Sequence, residues 1–419
     1  MIGLCDCNNF FVSCERVFNP SLEGCAVVVL SSNDGCVIAR SNESKALGIK
    51  MGQPIFQVQH LVRSGQLKIL STNHTLYGDM SQRVMSTLRE ATPSIEVYSI
   101  DEAFLDFSGF QIESMQEYGR QLARKVRRNT GIPVSIGIAP TKTLAKVASK
   151  LCKKYPKLQG CCVMYRPEDV AKVLSSYPIE DVWGIGRRST KLLNAHGVRT
   201  AEDFRRMPQR WVQSQMGIVG VRTWQELHGK SCLEFGYTTP DRQSIMVSRS
   251  FAKEIYEFDK LHEAVATFAS QASEKLRGQR SVAMQVQLFV ATNRHREDHP
   301  QHNEGRLARF STATDSTLDI VQSATLLLKE IFKEGFGYKK AGVVLTDISS
   351  AEGIQASIFD VDHRAKHRSL MEAMDKINTT HGASMVRVGS QREGHIPTKS
   401  QHRSPRYTTE WSDILTIKV

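Results

Sequence analysis

Long apolar runs are missing from this 419-residue chain: none could cross a bilayer, and no basic-then-apolar leader opens it. The expectation is a soluble protein that stays in the cytoplasm and makes no membrane contact. Metal-type cysteine spacing is missing too. The nine cysteines are an odd number; Cys5, Cys7 and Cys14 fall in the first strand and helix, and Cys161 and Cys162 are adjacent. That usage fits free thiols in a reducing compartment rather than a disulfide framework or a zinc site. His295, His299 and His302 stand close together, but in a polar stretch that reads as a solvated loop. The basic excess is concentrated in one region. Between Gly119 and Trp211 there are 20 Lys and Arg against 6 Asp and Glu, whereas between Gln243 and Ser350 the numbers are 14 and 13.

That local surplus exceeds the net charge of +12 carried by the whole chain. A concentrated basic surface is the electrostatic footprint of nucleic-acid binding. A solvated basic face would give the same count, so charge alone does not decide. At this length two to four domains are expected, and a hydrophobic content of 40% is enough for globular folding.

The pattern along the chain is α+β. Ile2-Gly-Leu4-Cys-Asp6 reads as a short strand running into a helix near 9–18. Ala26–Leu30 reads as a second strand, followed by turn residues Ser32-Asn-Asp-Gly35 in a small Gly-rich unit that ends near residue 72. Tyr77, Met80, Val84 and Leu88 recur at helical spacing, as do Met115, Tyr118, Leu122 and Val126. Val134, Ile136 and Ile138 alternate as a strand, and Thr141 is placed to cap the next helix. An antiparallel sheet backed by helices, interrupted by the small unit, is expected up to about residue 164. Residues 165–232 read as short helices and 233–242 as a linker. Then comes strand, helix, strand, strand, helix, strand over 243–350, a compact α+β domain. The tail, 351–419, is mostly polar and is expected to be partly disordered on its own.

Two acidic residues dominate the chemistry. Asp101 and Glu102 sit side by side between strand-like runs. Adjacent strand residues point to opposite faces, so the pair can share a target only at a turn or bulge. Such a pair is ordinarily a solvated loop tip. Asp6, at the end of the first strand, supplies a third carboxylate. Three carboxylates on neighbouring strand ends make an oxygen-rich pocket suited to Mg²⁺. After Asp6 come Cys7, Asn8, Asn9, Phe10 and Phe11 at a helix start, where free amides attract phosphate. An aromatic beside a nucleotide sugar would exclude a ribose 2′-hydroxyl by contact. Lys142, Lys146 and Lys150 form one ridge at spacing four, continued by Lys153. Gly184-Ile185-Gly186, followed by Arg187, Arg188 and Lys191, reads as a helix-hairpin-helix that grips a nucleic-acid backbone without reading sequence.

Together, Leu4-Cys-Asp6-Cys-Asn-Asn-Phe-Phe11, Tyr98-Ser-Ile-Asp101-Glu102-Ala-Phe and Gly137-Ile-Ala-Pro-Thr-Lys142-Thr-Leu-Ala-Lys146 resemble the catalytic motifs of the Y-family translesion DNA polymerases. Asn33-Asp-Gly-Cys-Val-Ile-Ala-Arg40, Asp181-Val-Trp-Gly-Ile-Gly-Arg-Arg188 and Ser404-Pro-Arg-Tyr-Thr-Thr409 are similar to its branch of bacterial DNA polymerase V catalytic subunits and their plasmid-borne relatives. The resemblance implies a multidomain right hand: palm at 1–15 and 73–164, fingers at 16–72, thumb at 165–232, little finger at 243–350, and a partner-binding tail at 351–419. It implies that Asp6, Asp101 and Glu102, with the Cys7 carbonyl, hold two Mg²⁺ ions. Phe11 takes the sugar-gate position, where this branch often has tyrosine. Asn9, Phe10, Asn42, Lys45 and Lys146 fall to the triphosphate, with Asn42 and Lys45 standing where many members carry Tyr and Arg. Val37 and Ile38 would roof the new base pair. The implied activity is dNTP addition to primer-template DNA during damage bypass and SOS mutagenesis.

Gln355-Ala-Ser-Ile358-Phe359 resembles the sliding-clamp binding pentapeptide of bacteria. The resemblance also implies a processed UmuD-type subunit and the RecA filament as partners, with the tail as the expected contact. Two other readings remain open on the residues alone. A nucleotide cyclase shares a palm-like sheet with paired acids, and a non-catalytic relative would retain DNA binding without the reaction.

Overall fold

The computed structural model describes every residue except 112–113, 237–239, 355–363, 383, 393–397 and 416–419. Gln355, Ile358 and Phe359, the expected clamp-binding residues, therefore lie outside the described residues. The chain divides into two units, residues 1–239 with 401–419, and residues 240–400.

In the first unit, strand β1 (Ile2–Cys7) is largely buried on both faces and lies at the centre of a five-stranded sheet. Its order is β5-β6-β1-β7-β8, with β5 (Ile95–Val97), β6 (Glu102–Asp106), β7 (Val134–Ala139) and β8 (Cys161–Val163). β1 is antiparallel to β6 and β7. β8, however, runs parallel to β7, which departs from the all-antiparallel expectation. The reason is the helix between them: a strand returning through a crossover helix comes back parallel.

Alternation along the strands splits the core in two. Cys5, Ala103, Leu105 and Ile136 face α1 (Phe10–Phe18), α4 (His74–Arg89) and α5 (Met115–Thr130), with Tyr77, Met80, Val84 and Leu88 buried among them. Leu4, Phe104 and Ala139 face α6 (Lys142–Lys154) and a helical group: α7 (Pro167–Leu174), α8 (Arg187–Ala195), α9 (Ala201–Arg205) and α10 (Gln209–Leu227). Thr141 caps α6 by accepting from the Leu144 amide, and Thr200 with Asp203 closes a capping box on α9, as their spacing predicts. Helix α6 lies unusually close to the sheet. A β-carbon on Gly137 would come within 2.1 Å of the Ser149 nitrogen and 2.2 Å of the Ala145 carbonyl oxygen. Only glycine allows that approach.

Between α1 and α4 lies the small unit: β2 (Val27–Leu30), β3 (Val37–Arg40), α2 (Asn42–Ala46), α3 (Gln59–Arg63) and β4 (Lys68–Ser71). Its sheet is ordered β3-β2-β4, over a core of Val28, Leu30, Val37, Ile49, Val58 and Leu67. Helix α1 runs on to Phe18, past the expected division at 15/16.

The second unit is the expected α+β domain: β9 (Ile245–Ile255), α11 (Phe258–Gly278), β10 (Ser281–Thr292), β11 (Asn303–Thr314), α12 (Thr317–Ile331) and β12 (Tyr338–Ser350). Its antiparallel sheet is ordered β11-β10-β12-β9, and α11 and α12 share its apolar core. The tail does not stand apart as a single segment. α13 (Arg364–His381) joins this unit through a bidentate pair between Arg277 and Asp375 at 2.6 and 2.7 Å, whereas the residues from 401 on belong to the first unit.

Candidate nucleotide and metal site

Register brings the acids together. In the β1–β6 pairing Asp6 stands directly opposite Glu102, and the Cys7 amide donates to the Asp101 carbonyl at 2.8 Å. Opposed residues on antiparallel strands lie about 4.5–5.5 Å apart at Cα. Asp101 sits in the turn before β6, which resolves the facing problem of two adjacent acids. Ser99 holds that turn. Its hydroxyl donates to the Asp101 carboxylate at 2.6 Å and accepts from the Glu102 amide at 3.0 Å. The sequence reading did not single out Ser99, although its place two residues before Asp101 is that of an Asx- or ST-type turn residue.

The two strand acids each carry an ammonium partner. Lys153 Nζ is 2.6 Å from Asp6 and Lys146 Nζ is 2.9 Å from Glu102. Burial pushes the Asp6 carboxyl above its ordinary range, the Lys153 charge and hydrogen bond pull it down, and Glu102 and Asp101 push it up again. Each lysine of the ridge thus has an acidic partner. Lys150 pairs with Asp181 at 2.7 Å. Lys142 is buried and donates to Glu96 at 2.7 Å and to the Glu234 carbonyl at 2.6 Å.

Asp6, Cys7, Asp101 and Glu102 line an open cavity of about 480 Å³, together with Asn9, Phe10, Phe11, Ile38, Arg40, Lys45 and Lys153. Lys45 donates to Asn9 Oδ1 at 2.5 Å, and Asn9 donates to Asn42 Oδ1 at 3.1 Å. Asn42 does not line the cavity but holds Asn9, which does. Asn9 takes the left-handed conformation (φ 49°) and starts α1, whose first amides lack helical partners. Phe11 stacks on Tyr77 with centroids 4.4 Å and planes 15° apart.

Three expected residues lie away from the positions their roles call for. Lys146 does not line the cavity; its ammonium sits over the rings of Tyr98 (4.4 Å) and Trp183 (5.1 Å) beside Glu102. Lys153, two turns further along the ridge, takes the cavity place. Val37 points into the core of the small unit, and its neighbours Ile38 and Arg40 border the cavity instead. Ile185 is buried and its amide already donates to the Val182 carbonyl at 3.0 Å, so it has nothing to offer a phosphate. Gly184, Gly186, Arg187 and Arg188 keep their places at the start of α8. Gly184 is left-handed at φ 93°, and a β-carbon there would strike Thr223 Oγ1 at 2.8 Å. A second break was not anticipated: Gly217 (φ 65°, ψ −163°) kinks α10 and leaves Ile218 and Val219 exposed.

The donor set is right for a hard cation: three carboxylates and the Cys7 carbonyl on adjacent strand ends. Among the described residues, no three His, Cys, Asp or Glu side chains are gathered tightly enough to hold an ion as they stand. Asp6 and Glu102 are turned to their lysines and Asp101 to Ser99.

Residues 5–150 match a family model described as the impB/mucB/samB family, and 242–358 match its C-terminal domain. Residues 167–198 match an IMS family HHH motif, and 368–417 a domain of unknown function. The chain is 39% identical to Protein UmuC of Salmonella typhimurium over the full length of both, and 38% identical to Protein ImpB of Salmonella typhimurium over 99% of both. It is 26% identical to DNA polymerase IV of Bacillus anthracis over 92% of each chain. A chimeric Y-family DNA polymerase structure covers 84% of this chain and 100% of its own, with TM-score 0.68 and 23% identity. DinB from Sulfolobus solfataricus covers 83% of this chain and 98% of its own, with TM-score 0.52 and 22% identity.

Proposed function

This chain belongs to the impB/mucB/samB family and has the Y-family polymerase fold, and from that premise we propose that it is a template-directed DNA polymerase of the error-prone translesion type. The observation that carries the reading is the convergence of Asp6, Asp101 and Glu102, through strand register, on one cavity edged by Lys45, Lys153 and Phe11. Asp6, Asp101, Glu102 and the Cys7 carbonyl would hold two Mg²⁺ ions. When bound, these supply Lewis-acid charge at the reacting phosphate and lower the pKa of the primer hydroxyl.

The rest of the work falls to the chain. Asn9 and the first amides of α1 take phosphate oxygens, and Lys45 and Lys153 add positive charge. Lysine supplies a point charge without a guanidinium fork, so orientation depends on the amides. Phe11 lies where a ribose 2′-hydroxyl would press against it. Ile38 borders the nascent base pair. The start of α8, with Arg187 and Arg188, takes the DNA backbone in the thumb, and the palm, fingers and little finger are assigned to the remaining segments on resemblance. Gln355, Ile358 and Phe359 are assigned to a sliding clamp, and the tail to a processed UmuD-type subunit and the RecA filament, on resemblance. A cyclase would have no use for the basic thumb.

Primer extension with Mg²⁺ tests the reading. Asp101→Ala removes one oxygen ligand and should lower extension at least ~100-fold. Unchanged extension by that variant would defeat the assignment.

A further inference from the structure

Residues 401–410 come from the far end of the chain, yet they pack on the unit that carries the acids. The Gln401 amide donates to the Asp34 carboxylate at 3.0 Å. The His402 amide donates to Ser71 Oγ at 2.9 Å, and its carbonyl accepts from the Ser71 amide at 2.9 Å. The segment thereby pairs in parallel with the outer edge of β4, between Arg403 and Ser71. Asn73 accepts from the Leu76 amide at the start of α4 and turns its NH₂ group to Ser404 and Pro405. Tyr407 stacks on Phe18, with centroids 4.8 Å and planes 10° apart.

Ser404 connects this segment to Phe11 in the cavity wall through Glu15 and Tyr77. Its hydroxyl donates to Glu15 Oε1 at 3.0 Å, and the Tyr77 hydroxyl donates to the same oxygen at 2.6 Å. Glu15 is 2% exposed and Tyr77 is fully buried. Tyr77 in turn lies flat against Phe11, whose other side borders the cavity. Nucleotidyl transfer has no use for a buried carboxylate at Glu15; its visible task is to hold the Tyr77 phenol. Burial pushes its pKa up, and the hydrogen bonds from Tyr77 and Ser404 oppose that rise.

We propose that residues 401–410 are a strap that seats the Tyr77–Phe11 stack, which makes Ser404 and Glu15 positioning residues for sugar selection. The inference rests on the polymerase reading above. A seat of this kind matters because a gate excludes by contact, and a ring free to slide by a fraction of an ångström admits the hydroxyl it should block. Without the Ser404 hydroxyl, Glu15 loses one of its two donors in a site that water does not reach, and the phenol anchor loosens.

The test uses the full chain as Ser404→Ala, Glu15→Gln and Ser404→Thr, with ribo- and deoxynucleotide addition measured opposite the same template base. Ser404→Ala should keep deoxynucleotide kcat within about twofold and cut discrimination roughly three- to tenfold, mainly through a lower ribonucleotide KM, the loss expected for one hydrogen bond. Glu15→Gln should cut discrimination in the same sense, and Ser404→Thr should restore it. Amide exchange at Ser71 and Tyr77 should quicken in Ser404→Ala and not in Ser404→Thr. Undiminished discrimination in both Ser404→Ala and Glu15→Gln, alongside its loss in Phe11→Ala, overturns the strap and leaves the gate standing. An equal fall in kcat for both sugars also overturns it, because that is a general loss of structure. Failure of the intact chain to extend a primer at all takes down the polymerase reading, and the strap with it.

Discussion

Lys146 and Lys153 sit two turns apart on α6, and substituting each in turn separates two accounts of the triphosphate contact. Lys153 lies 2.6 Å from Asp6 and borders the cavity, with its side chain 40% exposed. Lys146 is 17% exposed and is enclosed by Tyr98, Trp183 and Glu102. Replacing Lys153 with methionine removes the charge and keeps the aliphatic stem. A unit charge pair at about 4 Å is worth roughly 4 kcal/mol at an effective dielectric of about 20, and about 1 kcal/mol in water. The exposure of Lys153 places it toward the lower figure, so the loss should be about 1–2 kcal/mol, or about a 5- to 30-fold rise in dNTP KM. The charge serves the bound substrate and the transition state alike, so kcat should change little. Lys146→Met should do the reverse. It strips Glu102 of its ammonium and empties an aromatic cage, so kcat or stability should fall before KM does. Single-nucleotide addition over a range of dNTP concentrations reads both constants. A normal KM in Lys153→Met together with a raised KM in Lys146→Met would refute the assignment and return the contact to Lys146.

Phe11→Ala should admit ribonucleotides while deoxynucleotide addition continues; undiminished discrimination would mean another residue guards the sugar. Gly137→Ala should destabilise the fold by about 1–3 kcal/mol or more, because the new methyl meets α6 backbone rather than a yielding side chain; a melting temperature unchanged from the parent would refute that packing. Glu15 gives a pH dependence. Its folded pKa is raised, chiefly by burial. Its stabilising contribution is therefore complete below the unfolded value of about 4.3 and is lost as pH rises through the raised value. The melting temperature of the parent relative to Glu15→Gln should fall as pH climbs from about 4 through that window. Two parallel curves would contradict the burial of that charge.

How far such a site can be read from residues alone depends on which geometric question each residue poses. The acids were legible because strand alternation and a turn leave them little choice: Asp6 is the last residue but one of β1, Glu102 opens β6, and the pairing register brings them opposite. The helices α4, α5 and α6 were legible because their apolar residues recur at helical spacing. Facing is a harder question than existence. Val37 and Ile38 point to opposite sides of β3, and only the pairing of β3 with β2 says which side is core. Gly184-Ile185-Gly186 has the composition of an open anion cradle, yet an apolar side chain with an internal amide bond is drawn into the helical core. Lys146 and Lys153 share one ridge in any helical projection. The choice between them is made by how closely and in what direction α6 crosses the sheet, and the closeness depends on the missing side chain of Gly137, a strand residue that packs under α6. Ser404 poses the extreme case. Its partner Asn73 is 331 residues away in sequence, and no periodicity connects the two. Contacts of that kind cost more loop-closure entropy than local ones, and they persist here because several hydrogen bonds and a ring stack are made together along the strap. A latch built from many small, distant contacts leaves no local pattern, which is why the part of the site nearest the sugar gate was the part least visible from the chain alone.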